Sequence, residues 1–86
     1  MAFSDIGEWT YLAPGQSAYW WYDRGGSDFG VQFAAAQIYG TTGSRHNASD
    51  QGKARFAGGY VQYYVTITNV GATSGDWHKL MGGGLV

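Results

Sequence analysis

The feature that most constrains this chain is a run of four aromatic residues, Tyr19-Trp20-Trp21-Tyr22. A β-strand sends successive side chains to opposite faces of its sheet, so the four rings of one strand do not all face one core. About half of them must lie on a second face. Large rings on a second face usually cover another sheet, another subunit or a ligand. The run therefore favours binding or assembly over catalysis.

The remainder of the sequence favours short strands. The chain has 86 residues, with four Trp, seven Tyr, four Phe, fifteen Gly and one Pro. Aromatic and β-branched residues favour strands, glycines break the chain into short segments, and no apolar pattern of helical period lasts three turns. Turn signals recur roughly every 8–12 residues, as in small sandwiches and barrels. We predict an all-β fold: one domain over residues 1–86, an antiparallel β-sandwich or barrel of five to seven short strands.

The clearest predicted strand is Tyr60–Val70, where apolar residues at odd positions alternate with mostly polar residues at even positions. In the segment Phe29–Tyr39 the alternation changes parity before Ile38. A β-bulge near Ala34–Ala36 would explain the change, and a helical turn through the alanines is the alternative. Further strands are predicted at Glu8–Ala13, Ala18–Asp23, Ala54–Ala57 and Asp76–Met81.

A long polar stretch, Gly40–Lys53, is predicted to be a loop from its composition. Loops of this length inside small domains are uncommon and are often functional or mobile. Asn47 opens an Asn-x-Ser sequence, which accepts a glycan in secreted eukaryotic proteins. Three interpretations stay open: an ordinary surface loop, a ligand-binding loop and a glycosylation site.

Charge and composition argue against several classes of function. The net charge is −1, with five basic and six acidic residues, so the electrostatic attraction that drives nucleic-acid binding is missing. The chain has no Cys and only two His, which excludes disulfides and leaves little for a structural zinc site. No apolar stretch approaches the roughly 18 residues of a membrane span. The sequence Met1–Asp5 lacks the basic and apolar regions of a signal peptide, and localisation stays open between the cytosol and export.

A carbohydrate site is the leading hypothesis for the surplus rings. The apolar face of a pyranose stacks on Trp or Tyr, while nearby carboxylates and amides bind its hydroxyls, and such mixed sites are typical of small-ligand binding. The alternative is that the same rings pack the core or a subunit interface. The stacking candidates are Trp20, Trp21, Tyr64 and Trp77, and the candidates for hydroxyl hydrogen bonds are Asp23, Asp28, Asn47 and Asp76.

Metal and catalytic roles have weaker support. The turn Asp23–Asp28 offers too few oxygen ligands for calcium, and Asx-turns explain both carboxylates. Asp76 and His78 share one face of a predicted strand, but a small sandwich seldom provides the cleft that a pair of catalytic groups needs. We therefore expect no enzyme activity, no cofactor and no metal.

The sequence thus predicts a carbohydrate-binding, lectin-like module as the leading function. The alternative is a non-catalytic structural or assembly subunit whose aromatic residues form a homo-oligomer interface. A homo-oligomer is expected in either case, because a core of this size is small and large rings exceed what it can cover.

Overall fold

A computed structural model describes residues 4–84, with residues 4 and 5 described as backbone only; residues 1–3 and 85–86 lie outside the described range. The described chain forms six strands and one turn of 3₁₀ helix at Ala57–Gly59. The strands are β1 (Ser4–Leu12), β2 (Ser17–Tyr22), β3 (Phe33–Ile38), β4 (His46–Arg55), β5 (Val61–Asn69) and β6 (Asp76–Gly83). The predicted all-β fold is therefore confirmed. Between residues 4 and 84, nothing helical has the length and apolar character needed to cross a bilayer.

The strands form two antiparallel sheets of three strands each. The first sheet has the order β1-β6-β3 and the second has the order β2-β5-β4. Buried apolar side chains from both sheets form one cluster, so the sheets pack face to face as a sandwich. The members of this core are Leu12, Tyr22, Ala34, Val61, Tyr63, Val65, Ile67 and Leu80.

Strand β5 is central in its sheet and determines which side chains of its neighbours face the core. Its odd-numbered residues from Val61 to Asn69 are all buried, and its even-numbered residues are half-buried or exposed. This is the alternation that the sequence predicts, and it is confirmed. Pairing with β5 on both sides then directs Ala18, Trp20 and Tyr22 of β2 inward.

Strand β3 is shorter than predicted and contains no bulge. It pairs with β6 without interruption from Phe33 to Ile38, so neither the bulge nor the helical turn occurs there. Ala34 is buried in this register and Phe33 faces outward. The preceding residues form a turn instead, because Asp28 accepts a hydrogen bond from the backbone of Gly30, which has a φ of 73°.

The predicted loop Gly40–Lys53 is wrong in its second half, because β4 occupies His46–Arg55. The predicted short strand Ala54–Ala57 is the end of this same strand followed by the 3₁₀ turn. Strand β4 lies at a sheet edge, where most of its side chains meet solvent and need not be apolar. Pairing with β5 therefore outweighs the weak intrinsic preference of these polar residues. A bulge interrupts the pairing between Ser49 and Gly52.

Strand β1 begins earlier than the predicted start at Glu8. Its pairing with β6 shifts between Ile6 and Thr10, and Gly7 within this irregular segment has a φ of 85°. A side chain on Gly7 would also run into the ring of Trp20. Glycine is therefore needed at this bulge, and it masked the strand in the sequence.

Candidate functional site

The aromatic run divides between two faces, as its sequence predicts. Trp20 and Tyr22 point into the sandwich, and Tyr22 is only 7% exposed. Tyr19 and Trp21 point out of the second sheet and are 74% and 65% exposed. The expectation that half of the run lies on a second face is confirmed. The inward direction of Trp20 corrects its assignment as a stacking residue, because a ligand on the surface does not reach a ring packed against the core.

Tyr19, Trp21 and Tyr64 together form an aromatic surface on the second sheet, which we call the platform. Trp21 lies directly opposite Tyr64 on the neighbouring strand, and Tyr19 lies opposite Thr66. Directly opposite side chains in an antiparallel pair have Cβ atoms about 5 Å apart. Two predicted stacking residues, Trp21 and Tyr64, are therefore brought side by side on an exposed face.

The absence of a side chain at Gly52 leaves room for the Tyr64 ring against strand β4. Gly52 is paired with Tyr64 across the two strands. A Cβ atom built at Gly52 would collide with the hydroxyl and ring carbons of Tyr64. The ring therefore leans across the sheet over the backbone of Gly52, while 45% of the residue stays exposed.

Small polar side chains continue the platform along the same face. Ser17 and Thr68 share a hydrogen bond of 2.7 Å between their hydroxyls. Asn47 is paired with Thr68 from the other side, and Ser49 is paired with Thr66. Asn47, a predicted hydroxyl-binding residue, is exposed there. The face thus combines rings with hydroxyl and amide groups.

The fourth predicted ring, Trp77, lies on the opposite side of the molecule. With Trp9 and Tyr39 it surrounds an open depression of about 450 Å³ on the first sheet, which we call the cleft. The rings of Trp9 and Tyr39 meet edge to face at a centroid distance of 6.3 Å. Trp77 meets Tyr11 in the same way at 5.5 Å. The predicted stacking residues are therefore not gathered into one site.

Asp23 and Asp28 lie in turns and are engaged by the protein itself. Asp23 accepts hydrogen bonds from the backbone of Gly25 at 3.0 Å and from the Tyr60 hydroxyl at 2.5 Å. Asp28 pairs with Lys53 at 3.0 Å and with Arg55 at 2.7 Å. The backbone N–H of Gly30, followed by the Lys53 ammonium, lowers the pKa of Asp28. These contacts order the turns around the two carboxylates.

Asp76 is buried, which corrects its assignment as a sugar-binding residue. It is 1% exposed, and its carboxylate accepts five hydrogen bonds from within the protein. Burial alone would raise the pKa of Asp76, but hydrogen bonds from Gly40, Ser44, Thr41 and Trp77 outweigh burial and hold the pKa far below its ordinary value. The carboxylate thus organises the segment before β4 and offers no free oxygen to a ligand.

His78 and Asp76 do share a face of β6, but that face is the interior. His78 has no exposed surface, and its Nε2 accepts a hydrogen bond of 3.1 Å from the indole of Trp20. Asp76 and His78 are therefore both shielded from solvent. In the part of the chain that the structure describes, no three His, Cys, Asp or Glu side chains gather as they would around a metal ion.

No family model matches this sequence, and comparisons with curated proteins and with solved structures found no match either.

The sequence alone did not identify three aromatic residues of these surfaces: Tyr19 of the platform, Tyr39 of the cleft, and Tyr11, which packs against Trp77. For Tyr11 a signal existed, since it shares its parity with Trp9 in the first predicted strand. For Tyr39 no signal existed, because its place depends on a backbone hydrogen bond to the Trp77 carbonyl at 2.9 Å, which only the strand pairing creates.

Proposed function

We propose that this protein is a non-catalytic carbohydrate-binding module, and that its platform is the sugar-binding surface. The observation that carries the proposal is the pairing of Trp21 with Tyr64 on an exposed sheet face. Rings on one exposed sheet face suit the apolar faces of successive sugar units in a glycan chain. The amphipathic nature of Trp and Tyr fits a ligand that presents both C–H groups and hydroxyls.

Polar groups beside the rings support a sugar over a purely apolar ligand. The hydroxyls of Ser17 and Thr68, with the amide of Asn47, offer donors and acceptors at the level of the rings. Hydroxyl groups of a sugar would replace the water that these side chains hold in the free protein. A hydrocarbon would leave the Asn47 amide unpaired, which costs roughly 1–3 kcal/mol for a buried group.

The position of Tyr64 also supports recognition by a prepared surface. Because its ring already lies over Gly52 in the free protein, part of its rotamer freedom is lost before a ligand binds. Trp21, on the edge strand β2, is 65% exposed and contributes accessible ring area instead. The pair therefore combines one packed ring with one large, exposed ring.

The direct test is a glycan-array screen of labelled protein, followed by isothermal titration calorimetry with the best oligosaccharide. Trp21→Ala and Tyr64→Ala should each lower affinity about tenfold or more, equivalent to about 1.4 kcal/mol. Phe56→Ala is the matched control, because Phe56 is 51% exposed and lies outside both aromatic surfaces. Unchanged affinity in folded Trp21→Ala and Tyr64→Ala proteins would refute the platform as the site.

An assembly subunit is the second candidate function. The observation in its favour is the amount of exposed aromatic surface, including Tyr39 at 78% and Tyr19 at 74%. In this case the rings would join copies of the chain and no sugar would bind. Sedimentation equilibrium over a wide concentration range tests it, since a protein that stays monomeric at high concentration has no such interface.

A further inference from the structure

The cleft formed by Trp9, Tyr39 and Trp77 has the dimensions of a ligand site. Its volume of about 450 Å³ lies within the roughly 300–1,000 Å³ of small-molecule pockets. Two of its rings stand nearly perpendicular, with 79° between the planes of Trp9 and Tyr39. The cleft therefore offers a wall and an edge to an occupant, where the platform offers rings on an open sheet face.

Each ring of the cleft also carries a polar group. Among residues 4–84, the indole N–H groups of Trp9 and Trp77 and the hydroxyl of Tyr39 make no hydrogen bond to another side chain or to the backbone. An occupant made only of hydrocarbon offers these donors no acceptor. A polyhydroxylated ring meets both requirements, because it presents C–H faces to the walls and oxygens to the donors.

A quaternary ammonium group is the main competing ligand, because three aromatic walls also suit it through cation–π attraction. The polar groups of the cleft favour a sugar instead. A quaternary ammonium group carries no hydrogen-bond acceptor for the two indole N–H donors, whereas the oxygens of a sugar accept from them.

We propose that the cleft is a second sugar-binding site, which makes a single chain divalent. This inference rests on the proposed function, since it assigns the same ligand class to a second surface. The platform and the cleft belong to different sheets, whose inner faces are joined in one core. They therefore face away from each other, across a chain whose shortest Cα extent is 18 Å. One short oligosaccharide does not reach both, so the chain joins two separate glycan chains.

The test measures the number of sites per chain, and whether the protein cross-links glycan polymers so that they precipitate. The probes are mixed-linkage β-glucan, arabinoxylan, galactomannan and dextran, each as the soluble polymer and as a hexasaccharide. Calorimetry with the hexasaccharide should give two sites per chain, and the polymer should precipitate with the protein. The double variant Trp77→Ala/Tyr39→Ala should retain one site and lose precipitation, as should Trp21→Ala/Tyr64→Ala. Phe56→Ala should behave as wild type.

The outcomes separate the two proposals. If no probe binds, both fail. If the platform variant abolishes all binding and the cleft variant changes nothing, the platform site stands and the second site is overturned. Sedimentation of each variant provides a further check, because a cleft variant that converts a dimer into a monomer identifies the cleft as a subunit contact and also overturns it. Should the double cleft variant fail to fold, Tyr39→Ala alone serves, since that side chain is 78% exposed.

Discussion

The Nδ1 atoms of His46 and His78 lie 3.1 Å apart inside the sandwich. Because the indole of Trp20 donates to Nε2 of His78, that ring carries its proton on Nδ1 and donates it to His46. His46 then carries its own proton on Nε2, which is buried without a hydrogen-bond partner among the described residues. The arrangement requires both imidazoles to be neutral, since a proton added to either one would face the N–H of a neighbour.

The first prediction concerns stability against pH. Burial, followed by the charge on His46, lowers the pKa of His78 to about 4, and burial also lowers the pKa of His46. The unfolded chain, with a His pKa of about 6.5, therefore binds more protons than the folded chain between these values. The free energy of unfolding should fall as pH drops from about 6.5 to about 4, by about 3 kcal/mol from His78. Urea unfolding at several pH values measures it.

The control for this prediction replaces a titrating ring with a neutral amide. In His78→Gln the stability loss between pH 6.5 and 4 should be much smaller, whatever the stability at neutral pH. His46→Gln serves if the first variant does not fold. Asp76 does not interfere, because its depressed pKa makes its contribution disappear only when pH falls below about 4, the unfolded value. An unchanged pH slope in both variants would contradict the assignment.

The second prediction concerns the buried carboxylate. Asp76→Ala leaves the backbone N–H groups of Gly40 and Thr41 without their acceptor, so we expect a loss of about 3 kcal/mol or more in unfolding free energy. Faster hydrogen exchange in the segment before β4 should accompany it. Asp50→Asn is the control, because Asp50 is exposed and has a φ of 50°, which Asn tolerates. Equal effects of the two substitutions would contradict the anchoring role.

The third prediction concerns the support of the Tyr64 ring. Gly52→Ala should displace that ring, since a Cβ atom at position 52 occupies its place. We expect a loss of stability of about 1–3 kcal/mol, which is the usual cost of overpacking. In the Tyr64→Ala background the same substitution should cost much less. A double-mutant cycle by urea unfolding measures the difference, and equal costs in both backgrounds would show that the ring does not lie there.

The fourth prediction uses two adjacent residues with opposite roles. Trp20→Phe removes the indole N–H that reaches His78, so unfolding free energy should fall by about 1–3 kcal/mol while sugar affinity stays unchanged. Trp21→Ala should lower sugar affinity and change stability by no more than about 0.5 kcal/mol, because the side chain is mostly exposed. Thermal unfolding and calorimetry on both variants check it. If Trp20→Phe lowered affinity and Trp21→Ala lowered stability, the assignment of Trp20 to the interior and Trp21 to the surface would be wrong.

How much the sequence predicts depends on whether a strand carries its own pattern. The odd-numbered apolar residues of β5 predict both the strand and its buried face. The run Tyr19–Tyr22 predicts only that two rings face each way, because each face receives one Tyr and one Trp and the two faces look alike in the sequence. Strand pairing decides which two rings point inward, since it places Trp20 opposite the buried Val65.

Two errors share a physical cause, which is that position in the sheet outweighs local composition. Strand β4 looks like a loop because an edge strand with exposed side chains needs no apolar pattern. Asp76 looks like a surface residue because it is charged, yet the buried Leu80 has the same parity and gave the correct signal. The platform was partly predictable, whereas the cleft depends on the meeting of three strands.

The bulges and short lengths of the edge strands have a consequence for how copies of this chain meet. Edge strands β2 and β3 have six residues each, and the longer edges β1 and β4 are both interrupted by register shifts. Such edges are poor templates for an incoming strand. Neither sheet is therefore suited to growing into a fibril through its backbone, so a chain with this many exposed rings can remain dispersed where a flat, regular edge would aggregate.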